Sequence, residues 1–314
     1  MSKVEGATSG RKAARAVTSG VRSPGLALLA LLAASSAAAQ TRLVLLGTGT
    51  PNPDPERSGP AAAVVIGTHS YLVDAGPGVV RRAEAAARAG IAALGETSLR
   101  IVFLTHLHSD HTLGLADLML TPWVLGRSTP LEVYGPAGTR SMVQHLLAAY
   151  DIDIQHRQDG WQPQNRTGWR AVPHEVRPGL VYQDSLVRVI AFRVLHGNWD
   201  AFGYRFETAD RTIVISGDTR PSDAVVEACH GCDVLVHEAY SDSAFARLSP
   251  EWKRYHSYFH TSAAALADIA ERAHPGLLVL YHQLSWGVPI DSVAAEVRRR
   301  YHGRVESGHD LGVY

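Results

Sequence analysis

The apolar run Ile101-Val102-Phe103-Leu104 is followed at once by Thr105-His106-Leu107-His108-Ser109-Asp110-His111. Four consecutive apolar residues bounded by polar ones read as a strand buried on both faces. Directly behind it, three imidazoles and a carboxylate stand in the order H-x-H-x-D-H. A tight loop at the end of a rigid strand can turn all four side chains into one pocket. Imidazole and carboxylate are the usual donors to zinc and related divalent ions. A structural zinc is closed by four ligands, often with Cys; this run has no Cys and holds more donors than one ion needs. The fold must therefore bury a sheet while leaving a polar, donor-rich loop open at its edge.

Three further donors stand at the ends of apolar runs. His196 follows 192–195, Asp218 follows 213–217 and His282 follows 278–281. Any one of these would by itself be an ordinary structural residue; their joint occurrence with the H-x-H-x-D-H run points to a catalytic metal site on strand ends.

The remaining pattern predicts how these runs are layered. Strands are expected at 43–46, 62–66 and 71–73, the last two joined by a turn at Gly67-Thr68-His69-Ser70. A helix is expected over 79–89 and another over 113–120, either side of the strand at 101–104. Residues 150–182 read as irregular. Strands resume at 187–195, 201–206 and 212–215. Helix 222–228, strand 234–237, an aromatic-rich loop, helix 262–273, strand 277–281 and helix 292–300 complete the chain. Two sheets packed together with helices outside are the layered solution for such an order, so the expected class is α/β, an αββα sandwich in a single domain over 40–314.

The first 39 residues read differently. Lys3, Arg11, Lys12, Arg15 and Arg22 are basic, 26–34 is apolar, and Ala37-Ala38-Ala39 precedes Gln40. That order is a cleaved secretory signal, which places the mature protein in the periplasm or outside the cell. The apolar stretch is shorter than the roughly 20 residues a bilayer needs, so no stable membrane anchor is expected. Cys229 and Cys232, spaced C-x-x-C, follow a helix rather than opening one. They therefore lack the helix N-terminus that activates a redox thiol and read as small apolar residues at a junction, which export would allow to oxidise.

Several segments together resemble one family. They are Leu46-Gly47-Thr48-Gly49-Thr50, Leu72-Val73-Asp74-Ala75-Gly76, the H-x-H-x-D-H run, His196-Gly197 with Ala201-Phe202-Gly203-Tyr204-Arg205, Ser216-Gly217-Asp218-Thr219, His237-Glu238-Ala239 and His260-Thr261-Ser262. In this order they resemble the metallo-β-lactamase superfamily, and within it the tRNA 3′-processing endonuclease (ribonuclease Z) and arylsulfatase-like branch. The resemblance implies one metal held by His106, His108 and His196, a second held by Asp110, His111 and His282, and Asp218 bridging both. Seven donors suit two ions rather than one. The ions expected are zinc, with manganese or iron as alternatives. Two such ions about 3.5–4 Å apart lower the pKa of a shared water and stabilise a developing oxyanion. The same resemblance gives His260, Glu238 and Asp110 catalytic parts, His260 as proton donor to the leaving group with Glu238 beside it. Asp74 is expected to support a ligand histidine, or to be a plain turn residue.

The sequence departs from the branch in one place. Members that process tRNA carry a long basic arm between the third metal histidine and the bridging aspartate, where this chain has only a short turn at 206–212. Lys plus Arg number 30 and Asp plus Glu 30, so no positive field favours nucleic acid. Trp199, Trp252, Tyr255, Tyr258, Phe259 and Trp286 crowd the donor segments instead and suggest an aromatic pocket. The expectation is an exported dinuclear hydrolase of a small-molecule ester, a phosphodiester or aryl sulfate, with no nucleic-acid partner and a homodimer open to it. The alternatives are β-lactam hydrolysis, a ribonuclease Z-like endonuclease, and a non-catalytic metal-binding protein.

Overall fold

The computed structural model describes residues 40–314; the expected signal segment, 1–39, lies outside the described residues. Strands β1 (Thr41–Gly47), β2 (Ala61–Ile66), β3 (His69–Val73), β4 (Ile101–Phe103), β5 (Leu131–Gly135) and β6 (Ala171–Glu175) form one sheet in that order. Strands β7 (Gly179–Gln183), β8 (Val187–Arg193), β9 (Phe202–Thr208), β10 (Thr212–Ile215), β11 (Val234–Tyr240), β12 (Leu277–Leu284) and β13 (Val305–Ser307) form the other, also in sequence order. Each sheet is antiparallel where hairpins join its strands and parallel where helices cross over: β3 to β6 in the first, β10 to β13 in the second.

The layers follow from the alternation of side chains along each strand. Leu43, Leu45, Val64 and Phe103 point inward and meet Val189, Tyr204, Phe206 and Ile213 of the second sheet in a shared core. Val44, Leu46 and Val102 point outward onto helices Val79–Arg88 and Leu115–Val124. Val214, Leu235, Leu278 and Leu280 do the same against helices Asp223–Cys229, Ala263–Ala273 and Asp291–Arg298. The result is the expected αββα sandwich. The parallel strands β3 and β4 and their counterparts β10 and β12 carry their C-terminal ends to one edge, where the donor loops lie.

Two regions differ from the sequence reading. Residues 150–182 hold a helix, Asp151–Asp159, and the strands β6 and β7. Both strands are short and half-exposed, so they lack the apolar signature of the central strands. The aromatic-rich loop is largely a helix, Pro250–Phe259, with proline in its first turn, where a missing N–H costs nothing. Cys229 ends its helix, as expected, and is joined to Cys232 by a disulfide within the outer core. Among the described residues no helix is long and apolar enough to cross a membrane.

Candidate metal centre

The geometry starts at Asp74, which leaves β3 in the left-handed region (φ 62°). Its buried carboxylate accepts hydrogen bonds from the Thr105 backbone N–H (2.7 Å) and hydroxyl (2.9 Å) and from His111 Nδ1–H (2.8 Å). The turn after β3 thus pins the loop after β4. It also orients the His111 ring so that Nε2 is the nitrogen left for a metal; without one, the Asp218 and Asp74 carboxylates overcome burial and hold the ring well above the usual imidazole range. His196 is set in the same way by a neutral partner: its Nδ1–H donates to the Phe259 carbonyl (2.9 Å). Thr105 Oγ1 lies 3.0 Å from His106 Nδ1.

The seven expected ligands come together. His108 Nδ1 is 2.9 Å from His106 Nε2 and 3.2 Å from His196 Nε2. Asp110 Oδ2 is 3.2 Å from His282 Nε2 and 3.6 Å from His111 Nε2. Asp218 is nearest the second set, with Oδ1 3.4 Å from His111 Nε2 and Oδ2 3.4 Å from His282 Nε2, and also has an oxygen within 4.8 Å of a ring nitrogen of His106 and of His196. His106, His108 and His196 make one triad, and Asp110, His111 and His282 another, each with its donor atoms within 4.8 Å of one another.

The residues suit divalent cations. Burial pushes His106 well down and His196 down to about 4, so two neutral rings turn their Nε2 atoms to His108 Nδ1. His111 Nε2 and Asp218 Oδ1 are buried without hydrogen-bond partners. Burial alone would neutralise Asp218, yet it is held well below the usual carboxylate range, first by His282 and then by His111. The positive charge this carboxylate requires is the charge a metal ion would bring.

Backbone strain gathers at the same loops. His282 itself has φ 43°, a conformation costing roughly 1–3 kcal/mol off glycine. Gly217, at φ 61°, precedes Asp218, and a Cβ there would stand 2.8 Å from the Thr105 Cβ. Any side chain at Gly217 would therefore push the strand-end loop of Asp218 away from the loop carrying His106.

His260 caps the helix Pro250–Phe259 and is 6% exposed. Its Nδ1 lies 3.3 Å from Glu238 Oε1 and 3.9 Å from Asp218 Oδ2. Glu238 is fully buried and accepts from the backbone N–H groups of Thr261 (3.0 Å) and Thr219 (3.3 Å). His237 is a core residue, its Nδ1 2.6 Å from the Glu238 carbonyl. Beside His260 opens a cavity of about 500 Å³ lined by His108, Asp110, Asp218 and His282 on one wall and by Trp252, Tyr255, His256 and Trp286 on another. Of the six aromatics named from the sequence, Trp252, Tyr255 and Trp286 reach it. Trp199 instead packs on the His108 ring (4.2 Å between centroids) and Phe259 on that of His196 (5.1 Å). His256 was not singled out from the sequence, although Trp252, His256 and His260 are spaced i, i+4, i+8, which sets them on one helix face. Thr105, which ties Asp74 to His106, also went unnoticed.

A family model described as the Beta-lactamase superfamily domain matches residues 69–283. A relative from Mycobacterium sp. (strain KMS) named Ribonuclease Z is 37% identical over 279 residues, which span 86% of this chain and 94% of that protein. The chain belongs to the metallo-β-lactamase superfamily, in its ribonuclease Z branch. It is accordingly a metal-dependent hydrolase. A Ribonuclease Z from Mycobacterium bovis is 33% identical over 283 residues, covering 86% of this chain and 96% of its own length. Among solved structures, a metallo-β-lactamase fold protein from Bacillus subtilis superposes with TM-score 0.68 at 17% identity, over 87% of this chain and 98% of its own. Human short-form tRNase Z superposes with TM-score 0.65 at 24% identity, over 87% and 98%.

These relatives overturn one expectation. A small-ester substrate without nucleic acid was argued from the missing arm and the neutral charge. The turn is indeed tight: Thr208 N–H donates to the Arg211 carbonyl (2.9 Å) between β9 and β10. Yet the mycobacterial proteins that bear the ribonuclease name match this armless superfamily member over 94% and 96% of their lengths. A match of 279 residues that already spans 86% of this chain has no room for a long arm in the relative. The arm's absence therefore does not argue against RNA.

Proposed function

We propose that this chain is a metal-dependent ribonuclease that hydrolyses phosphodiester bonds in RNA. The observation that carries the reading is the pair of donor triads joined at Asp218, in a chain similar over 86% of its length to a protein named Ribonuclease Z. His106, His108 and His196 would hold one divalent ion, and Asp110, His111 and His282 the other, with Asp218 shared. Zinc suits this set of imidazoles and carboxylates. Bound there, the ions would supply Lewis acidity and water activation.

The chain's own residues supply the rest. Asp74 orients His111, and the Phe259 carbonyl orients His196. His260, with Nδ1 turned to Glu238, keeps its other ring nitrogen for the leaving oxygen of the cleaved strand. Burial pushes His260 down to about 4, so the resting ring is neutral. It becomes a proton donor when the phosphodiester anion arrives and stabilises the imidazolium. Without residues 1–39 the chain keeps 25 Lys and Arg against 29 Asp and Glu, so it would bind RNA through few phosphate contacts, and its affinity should fall only gently with salt.

The decisive assay offers the zinc-loaded mature protein a precursor tRNA transcript and a DNA strand of the same sequence. RNA should be cut and DNA spared, and a chelator should abolish the cut. Intact RNA at low salt, alongside hydrolysis of a nitrophenyl phosphodiester, would overturn the reading.

Export is the second part of the proposal. It is supported by the basic, apolar and small-residue order of residues 1–39 and by the Cys229–Cys232 disulfide, a bond rare in the cytosol. The exported protein should begin at Gln40 or within a few residues of it on N-terminal sequencing. Recovery of the intact chain in the cytoplasm would refute this part alone.

A further inference from the structure

The wall of the 500 Å³ cavity opposite the donors is unusual in what it exposes. Trp252 is 55% and Tyr255 38% exposed at its rim, although both are large and partly apolar. Trp286 leans in from the loop after β12, with its backbone in the left-handed region (φ 42°), backed by Tyr240 (5.7 Å between centroids) and Phe245 (6.4 Å). Between the two indoles stands His256. Its ring lies 5.5 Å from Trp252, nearly parallel at 23°, and 4.4 Å from Trp286. It is only 8% exposed, yet its Nδ1 has no hydrogen-bond partner. A buried polar nitrogen left unpaired costs free energy unless something completes it.

The cavity volume is that of a small-molecule site, and the same space is lined by Asp110, Asp218, His260 and His282. Whatever fills it thus adjoins the bond to be cut. Exposed flat π surfaces are what an unstacked base finds in proteins that bind single-stranded RNA. Asn52 and Trp286 also line a second cavity, of about 580 Å³, whose wall carries Thr48, Thr50 and Arg57.

We propose that the aromatic cavity is a base pocket: it takes one unpaired nucleobase next to the scissile phosphate, packed against Trp252, Tyr255 and Trp286, with the His256 ring completing the wall between the two indoles. This rests on the ribonuclease reading of the same site. It makes cleavage selective for a single-stranded position, since a paired base cannot leave its helix to enter.

The test has two arms. In the first, the zinc-loaded protein is titrated with a nucleoside monophosphate while tryptophan fluorescence is followed, with ribose 5-phosphate as the control. Quenching by the nucleotide alone is expected. It should be lost in Trp252→Ala and in Trp286→Ala and partly regained in Trp286→Phe. Trp252 is exposed enough that its removal leaves the fold intact, so the arm remains decisive should Trp286→Ala unfold. In the second arm, RNA carrying an abasic residue on either side of the cut is compared with intact RNA. Loss of the base, or of either indole, should raise KM about tenfold to a hundredfold while kcat moves less, and an indole variant should no longer distinguish abasic from intact RNA. Equal binding of nucleotide and ribose phosphate, or equal KM on intact and abasic RNA, overturns the pocket. If the wild-type protein cuts no RNA at all, the ribonuclease reading fails, and the fluorescence arm still decides the pocket.

Discussion

His106, His108 and His196 offer three uncharged rings, whereas Asp110, His111 and His282 offer two rings and a carboxylate, with a second carboxylate, Asp74, bonded behind His111. The supports differ accordingly. The first triad leans on a hydroxyl and a carbonyl, from Thr105 and Phe259, and its His108 stands half-buried at the cavity wall. Depth does not separate them, since His106 and His196 are as buried as His111 and His282, at 0% and 1% exposure in each pair. Equal donor counts therefore do not make equal sites. Negative charge behind and among the ligands favours a cation, and outer partners of this kind are typically worth about 10–100-fold in metal affinity. The second triad should hold its ion more tightly, and a chelator should empty the first triad first.

The largest effect should come from the residue the triads share. Replacing Asp218 by Ala removes the carboxylate that touches both sets, so metal analysis should find both ions lost or loosened and hydrolysis at background. His196→Ala should lose only the ion of the first triad. An Asp218→Ala protein that keeps two ions per chain would dissolve the shared arrangement and leave two independent sites.

His260 sharpens the comparison from outside it. Its Nδ1 stands 3.9 Å from Asp218 Oδ2, close to both triads. If it serves as proton donor, His260→Ala should slow RNA cleavage about 10²–10⁴-fold, because an alkoxide leaves only with a proton. A nitrophenyl phosphodiester, whose leaving group needs no proton, should slow by no more than about tenfold. Glu238→Gln should show the same split more weakly. Both variants should keep two ions on metal analysis; loss of an ion would move His260 into a triad and displace one of the assigned ligands.

How much of this could be read beforehand follows the same physics. The strands under the site were legible because central parallel strands are apolar on both faces, as in Ile101–Phe103 and Leu277–Leu284. The donor clusters were legible because donors at strand ends break such runs abruptly. The edge strands β6 and β7 were not, since half-exposed residues mix polar and apolar types without clear alternation. Nor was the helix Pro250–Phe259, whose Trp252 and Tyr255 face a cavity rather than the core, so that His256 carried no signal until its neighbours were placed. The substrate class was misread for a different reason. An absent arm and a zero net charge describe what the surface lacks, and a lack constrains function less than the site that is present.

The smallest expected effect bears most directly on the asymmetry. Asp74→Asn keeps the shape of the side chain but removes the charge and one of the two acceptor oxygens, so that the Thr105 N–H and the His111 Nδ1–H can no longer both be accepted. If that charge is what deepens the second site, affinity there should fall about 10–100-fold. The order in which a chelator empties the sites should then even out or invert. Single-site backgrounds separate the two contributions. With His196→Ala only the second triad is complete, and Asp74→Asn should weaken metal binding by the full factor. With His282→Ala only the first triad is complete, and the same change should matter little. Affinities measured by competition with a chromophoric chelator give each number without recourse to activity. Equal losses in both backgrounds would mean that Asp74 acts through Thr105, whose Oγ1 touches both the Asp74 carboxylate and the His106 ring. The triads would then share one support as well as one ligand, and the difference between them would rest on Asp110 alone.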